Sequence, residues 1–139
     1  MMPEKTTLTF MVMDPPFEST RSTTALRLMQ IAAERGYDIN VLAYEGAVFL
    51  PSTAQAGHPN PIHGNDVSQE NHPLPREWIE IIAETAEKNG GTLDWVNCGM
   101  CADERGVVDT VEGVRRGGPA VLAAWIGEST NTLIIPTRG

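Results

Sequence analysis

Thr6-Thr7-Leu8-Thr9-Phe10-Met11-Val12-Met13 and Ile39-Asn40-Val41-Leu42-Ala43-Tyr44 are two runs rich in β-branched and apolar residues, and the segment between them has helical rather than strand periodicity. Ala25, Leu28, Ala32 and Leu26, Met29, Ala33 share one face at helical spacing. Asp14-Pro15-Pro16 ends the first run, Ser19, Thr20 and Ser22 are candidate caps, and Gly36 stops the helix. A strand, a helix and a second buried strand in this order form a right-handed crossover, which requires the two strands to be parallel. The chain therefore reads as an α/β fold on a parallel sheet.

The same alternation continues outward. Glu45-Gly46-Ala47-Val48-Phe49-Leu50 reads as a short helical turn whose apolar residues belong to the core or to a subunit contact. Pro75 suits a first helical position, and Trp78, Ile81, Ile82, Thr85 and Ala86 follow as an apolar stripe, with Glu77, Glu80, Glu84, Glu87 and Lys88 mostly opposite. Asn89-Gly90-Gly91 stops that helix, and Thr92-Leu93-Asp94-Trp95-Val96 is a third strand in which Trp95 is a core residue. Pro119 opens a helix through Ile126, and Leu133-Ile134-Ile135 is a last strand closed by Pro136. Residues 51–74 break the pattern: they are rich in Pro, Gly, Asn and Ser, hold His58, His63 and His72, and read as a long loop within a single domain spanning 1–139. Loops of that length serve as lids, docking loops or solvated excursions.

Bulk properties narrow the function classes. A 139-residue chain with 41% hydrophobic and 20% charged residues suits one globular core, and its net charge of -8 disfavours nucleic acid and an anionic membrane as partners. A basic protein partner fits that charge. No apolar run has the length of a membrane span, and the N-terminus leads into a strand rather than a signal-peptide core, so a cytoplasmic protein is expected. In that reducing setting two cysteines point to catalysis or metal binding rather than to a structural disulfide. No G-x-S-x-G elbow, P-loop or G-x-G-x-x-G run occurs, which argues against a serine hydrolase and a nucleotide site; Gly117-Gly118 is a turn before Pro119.

Both cysteines lie in Asn97-Cys98-Gly99-Met100-Cys101-Ala102-Asp103-Glu104-Arg105-Gly106, directly after the third strand. The crevice beyond the carboxyl ends of parallel strands is where reacting groups gather. A thiolate there is favoured by nearby cations, by a helix N-terminus and by C-x-x-C spacing, and Arg105 is the candidate cation. Inert buried thiols, half of a zinc site and a dithiol/disulfide pair are the competing readings. Zinc requires further ligands, for which His58 and His63 with Cys98 and Cys101 are the candidate set; a redox pair more often has proline where Met100 stands. Asp14, at the end of the first strand, belongs to the same sheet edge, either as a turn residue or orienting a partner. Arg115 and Arg116 read as solvated surface charges.

The run Cys98-Gly-Met-Cys101-Ala-Asp-Glu-Arg105-Gly106-Val-Val-Asp with Val111-Glu-Gly-Val-Arg-Arg-Gly-Gly118, together with Asp14-Pro-Pro-Phe-Glu-Ser-Thr-Arg21 and Ala25-Leu-Arg-Leu28, resembles the DsrE/DsrF/TusD family of sulfur-relay proteins. That resemblance runs out across residues 51–74. It implies a five-stranded parallel sheet flanked by helices, with flavodoxin-like layering and a short fifth strand near Val114. It also implies that Cys98, eight residues before Gly106, is the sulfur-carrying cysteine, whereas Cys101 matches a cysteine present only in some branches. The implied activity is that of a sulfur carrier or sulfurtransferase. Cys98 takes sulfane sulfur as a persulfide without a cofactor and passes it to a protein thiol, such as that of a small TusA-type carrier. In this reading Arg105 stabilises the anion and Gly99 permits close backbone approach. The resemblance also implies a homo-oligomer, a trimer or hexamer, with Val48, Phe49 and Trp125 as surfaces to cover. A non-catalytic oligomeric subunit and a C-x-x-C dithiol oxidoreductase are the alternatives.

Overall fold

The computed structural model describes residues 5–57, 64–66 and 72–137. Strand β1 (Thr7–Val12), helix α1 (Thr20–Glu34) and strand β2 (Asp38–Ala43) form the expected crossover. The strands pair in parallel from Thr7 opposite Asp38 to Val12 opposite Ala43. Ser19 caps α1 by accepting the Arg21 N–H at 3.2 Å. Past the helix end Gly36 takes φ 74, and a Cβ there would lie 2.4 Å from the Asn89 carbonyl oxygen, so the position requires glycine twice over.

A 3₁₀ turn (Glu45–Phe49) follows β2, and the remaining elements are α2 (Pro75–Lys88), β3 (Leu93–Cys98), α3 (Gly99–Arg105), β4 (Val114–Gly117), α4 (Pro119–Glu128) and β5 (Asn131–Ile135). The sheet order is β4-β3-β2-β1-β5, every pairing parallel. Right-handed crossovers turn that order into layers. The steps from β1 through β4 run in one direction and place their connections on one face; the step back to β5 places α4 on the other. Packing follows the alternation along each strand: Phe10, Val12, Val41 and Trp95 meet Leu26, Met29, Trp78 and Ile82 on the first face. Met11, Leu42 and Val96 meet Leu122 and Trp125 of α4 on the second. The result is the single α/β layer structure expected, with the short strand at Val114 as its fifth.

Three expectations need correction. On α2 the buried stripe is Trp78, Ile82 and Ala86 with Pro75 and Ile79, while Ile81 is 42% exposed. The helix is rotated toward Ile79 because Trp78 packs under α1, where its indole N–H donates to Gln30 at 2.7 Å. Leu28 of α1 likewise faces out, at 39% exposure. Val48 and Trp125 are buried within the chain itself, so they are not surfaces awaiting a subunit, whereas Phe49 is half-buried.

The long loop begins as part of the fold. Ser52 bridges Thr110, the Thr53 N–H donates to the Asp109 carbonyl at 3.1 Å, and the Val111 N–H donates to the Pro51 carbonyl at 3.0 Å. Gln55 then donates to the Phe49 and Leu50 carbonyls at 2.8 and 2.7 Å and accepts the Arg76 N–H at 3.1 Å. Among the described residues no helix is long and apolar enough to cross a membrane.

Candidate functional site

Adjacent strands whose carboxyl ends lead to opposite faces of a parallel sheet leave a crevice between them. Here those strands are β3 and β4. The connection after β3 runs on the α1/α2 face, where Val111 joins that core, and the connection after β4 leads to α4 on the other. Cys98, the last residue of β3, pairs with Gly117, the last of β4, so the sequence-selected cysteine stands at this crevice.

Both cysteines are free, and both are largely buried, at 4% exposure for Cys98 and 7% for Cys101. They pack with Val48 and Ala102, and Tyr44 and Val107 lie against the same cluster. The Cys101 Sγ accepts the Glu45 N–H at 3.2 Å, and Cys98 lies in the same buried cluster. Burial pushes the Cys101 thiol up from its ordinary value, and the neighbouring Cys98 thiol adds to that; the Glu45 N–H and the Arg105 charge pull the other way. Glu45 sits in left-handed backbone at φ 52, which outside glycine costs about 1–3 kcal/mol.

Arg105 and Gly106 have separate duties. Gly106 takes φ 70 and ends α3, with the following Val107 N–H donating to the Ala102 carbonyl at 2.9 Å. Arg105 donates to the Cys101 carbonyl at 3.3 Å, lies 3.8 Å from Glu104, and lines a cavity of about 970 Å³ with Asp14, Phe17, Glu45, Phe49 and Gln55. Neither cysteine lines that cavity. Arg105 thus serves the Cys101 side.

Arg116 is exposed, as a surface charge is expected to be, and it lies beside the residue that follows Cys98. Its guanidinium lies over Gly99, where a Cβ would meet Nε at 2.7 Å and Cζ at 2.9 Å. It is held there by a two-pronged pair to Asp103, at 2.8 and 2.5 Å. Gly99 therefore makes room for the Arg116 side chain. Arg115, its neighbour, projects to the other face and pairs with Asp94 at 2.9 and 2.8 Å.

Asp14 is buried, accepts the Ser19 hydroxyl at 2.5 Å, and through its carbonyl accepts the Ser22 hydroxyl at 2.8 Å. It holds the β1–α1 turn while lining the cavity, at the same sheet edge as the cysteines but not against them. His58 and His63 lie outside the described residues. His72 bonds to the Pro73 carbonyl at 2.8 Å and stacks on Trp78 at 5.2 Å. Among the described residues no three His, Cys, Asp or Glu side chains gather as a metal site.

Fold and site together define a parallel α/β domain that carries two adjoining thiols at its switch point. The chain belongs to the DsrE/DsrF-like family, whose model matches residues 7–134. It is similar to an uncharacterised protein of Methanopyrus kandleri, MK0008, at 26% identity over 128 residues, 91% of each chain. The crystal structure of the ychN protein from E. coli has the same fold, with a TM-score of 0.71 at 17% identity, over 93% of this chain and 98% of that one. Family membership supports a protein of sulfur-relay type in general terms.

Proposed function

We propose that the protein is a sulfur carrier or sulfurtransferase in which Cys98 holds sulfane sulfur as a persulfide. The observation that carries this reading is a free thiol at the sheet's switch point, packed in one buried cluster with a second free thiol and followed by a glycine over which a guanidinium lies, in a member of this family. The Cys98 thiolate attacks the outer sulfur of a donor persulfide, R–S–SH. A Cys98 S–S bond forms, the donor's S–S bond breaks, and R–S⁻ leaves; no net oxidation occurs and no cofactor is consumed. A partner thiolate then attacks the outer sulfur on Cys98 in the same way. With a net charge of -8, the chain suits a basic donor or acceptor protein, such as a small TusA-type carrier.

Loading with a persulfide donor, followed by intact and fragment mass measurement, should find one added sulfur on Cys98 that a thiol reductant removes. Cys98→Ser should neither load nor transfer, since a hydroxyl is not the required nucleophile near neutral pH. Normal loading of Cys98→Ser would remove the assignment. The assembly proposed is a homo-oligomer, a trimer or hexamer, in the cytoplasm; light scattering that returned a monomer mass across a wide concentration range would exclude it.

A further inference from the structure

Resting on the reading of Cys98 as the reactive thiol, we infer that Arg116 is the positioning residue that presents positive charge to the Cys98 sulfur and biases it toward anionic sulfane-sulfur donors, and that Gly99 and Asp103 set its place. Three features converge on this. In the strand register Arg116 lies opposite Asn97 and Gly117 opposite Cys98, so the Arg116 backbone is one residue from the level of the thiol on the adjoining strand. The guanidinium crosses back over Gly99, the residue after Cys98, through space that any side chain there would fill. Asp103, one turn further along α3, accepts from both outer nitrogens, which orients the guanidinium plane.

The groups facing Cys98 sharpen the assignment. Cys101 and Ala102 pack on it from α3, with Val48 and Tyr44 from the β2 side. Glu45 contributes its N–H to Cys101, and Arg105 turns to the Cys101 carbonyl and the cavity. Over the residue that follows Cys98 lies the Arg116 guanidinium, whose own ionisation is favoured first by Asp103 and also by Cys98. In a chain of net charge -8 such a local cation is what allows a thiolate to be approached by a sulfane-sulfur donor that carries negative charge away from the sulfur under attack.

Iodoacetate and iodoacetamide attack the same thiolate but differ by one charge, so their rate ratio at Cys98 reads the local field directly. The wild-type chain and its variants are alkylated at low salt, with fragment mass spectra separating Cys98 from Cys101. Arg116→Gln should lower the iodoacetate-to-iodoacetamide ratio at Cys98 about threefold to tenfold, the size expected of an adjacent cation that is partly screened. Arg116→Lys should restore part of it. Gly99→Ala, which keeps every charge and displaces the guanidinium, should shift the ratio in the same direction. Arg115→Gln removes the same charge from the opposite face and should leave it unchanged. A wild-type ratio in Arg116→Gln, or an equal fall in Arg115→Gln, would overturn the inference. The assay involves no sulfur transfer, so it stands or fails separately from the persulfide experiment.

Discussion

The Asn97 side-chain amide donates to the Val48 carbonyl at 3.1 Å, and this bond ties the end of β3 to the 3₁₀ turn whose first N–H holds Cys101. The same side chain accepts the Trp95 indole N–H at 3.0 Å. Both groups it satisfies are buried, so removing it leaves a donor and an acceptor without partners. Asn97→Ala should destabilise the domain by about 1–3 kcal/mol, read as a lower urea midpoint with an unchanged slope. Because the turn loses its anchor, Cys101 should also alkylate faster. A midpoint within error of the wild type would show that the bond has no role in holding the site.

The Arg116–Asp103 pair gives a prediction in pH. The guanidinium beside Asp103 holds its carboxyl below the usual carboxylate range, chiefly by hydrogen bonding. A depressed carboxylate favours the folded arrangement above its unfolded pKa, and that contribution is lost as pH falls through the folded value. Both side chains are 63% exposed, so the effect on global stability should be slight. The local effect should be clear: Asp103 should titrate by NMR at lower pH than an ordinary aspartate and return to the ordinary range in Arg116→Gln. An Asp103 midpoint unmoved by that substitution would mean that the pair does not form in solution.

Where local pattern decides structure, the sequence was readable. The β1–α1–β2 unit, the stops at Gly36 and Gly90, and the arrival of Cys98 at a strand end rest on periodicity and turn chemistry, which are local. Arg116 was not readable, because its importance comes from the pairing of β4 with β3 and from the empty space over Gly99. Glu45 was missed for a similar reason: its backbone, not its side chain, touches Cys101, and no propensity scale flags φ 52 at a glutamate. The rotation of α2 toward Ile79 depends on how Trp78 seats under α1, a tertiary choice that the run Trp78-Ile79-Glu80-Ile81-Ile82 does not resolve, so the stripe through Ile81 missed Ile79.

Cys101 should behave as the less reactive of the two thiols, and the sign of its pH dependence follows from burial. Its raised pKa means that the fold favours the protonated thiol. That preference costs nothing at neutral pH and acts against folding as pH rises from the unfolded thiol value through the folded one, so stability should fall in the alkaline range. Cys101→Ser should remove that alkaline loss, since its hydroxyl does not titrate there, while the hydroxyl oxygen still accepts the Glu45 N–H. The same variant tests what Cys101 does for sulfur. If its thiol attacks the inner sulfur of the Cys98 persulfide, a disulfide forms and hydrosulfide leaves, and a thiol reductant must reopen the pair before the next load. Cys101→Ser should then still load one sulfur on Cys98, hold it longer than the wild type, and release no sulfide without an added thiol. Sulfide release at the wild-type rate from Cys101→Ser would take that duty away from Cys101. Failure of the variant to load at all would instead make Cys101 a second station for the sulfur itself.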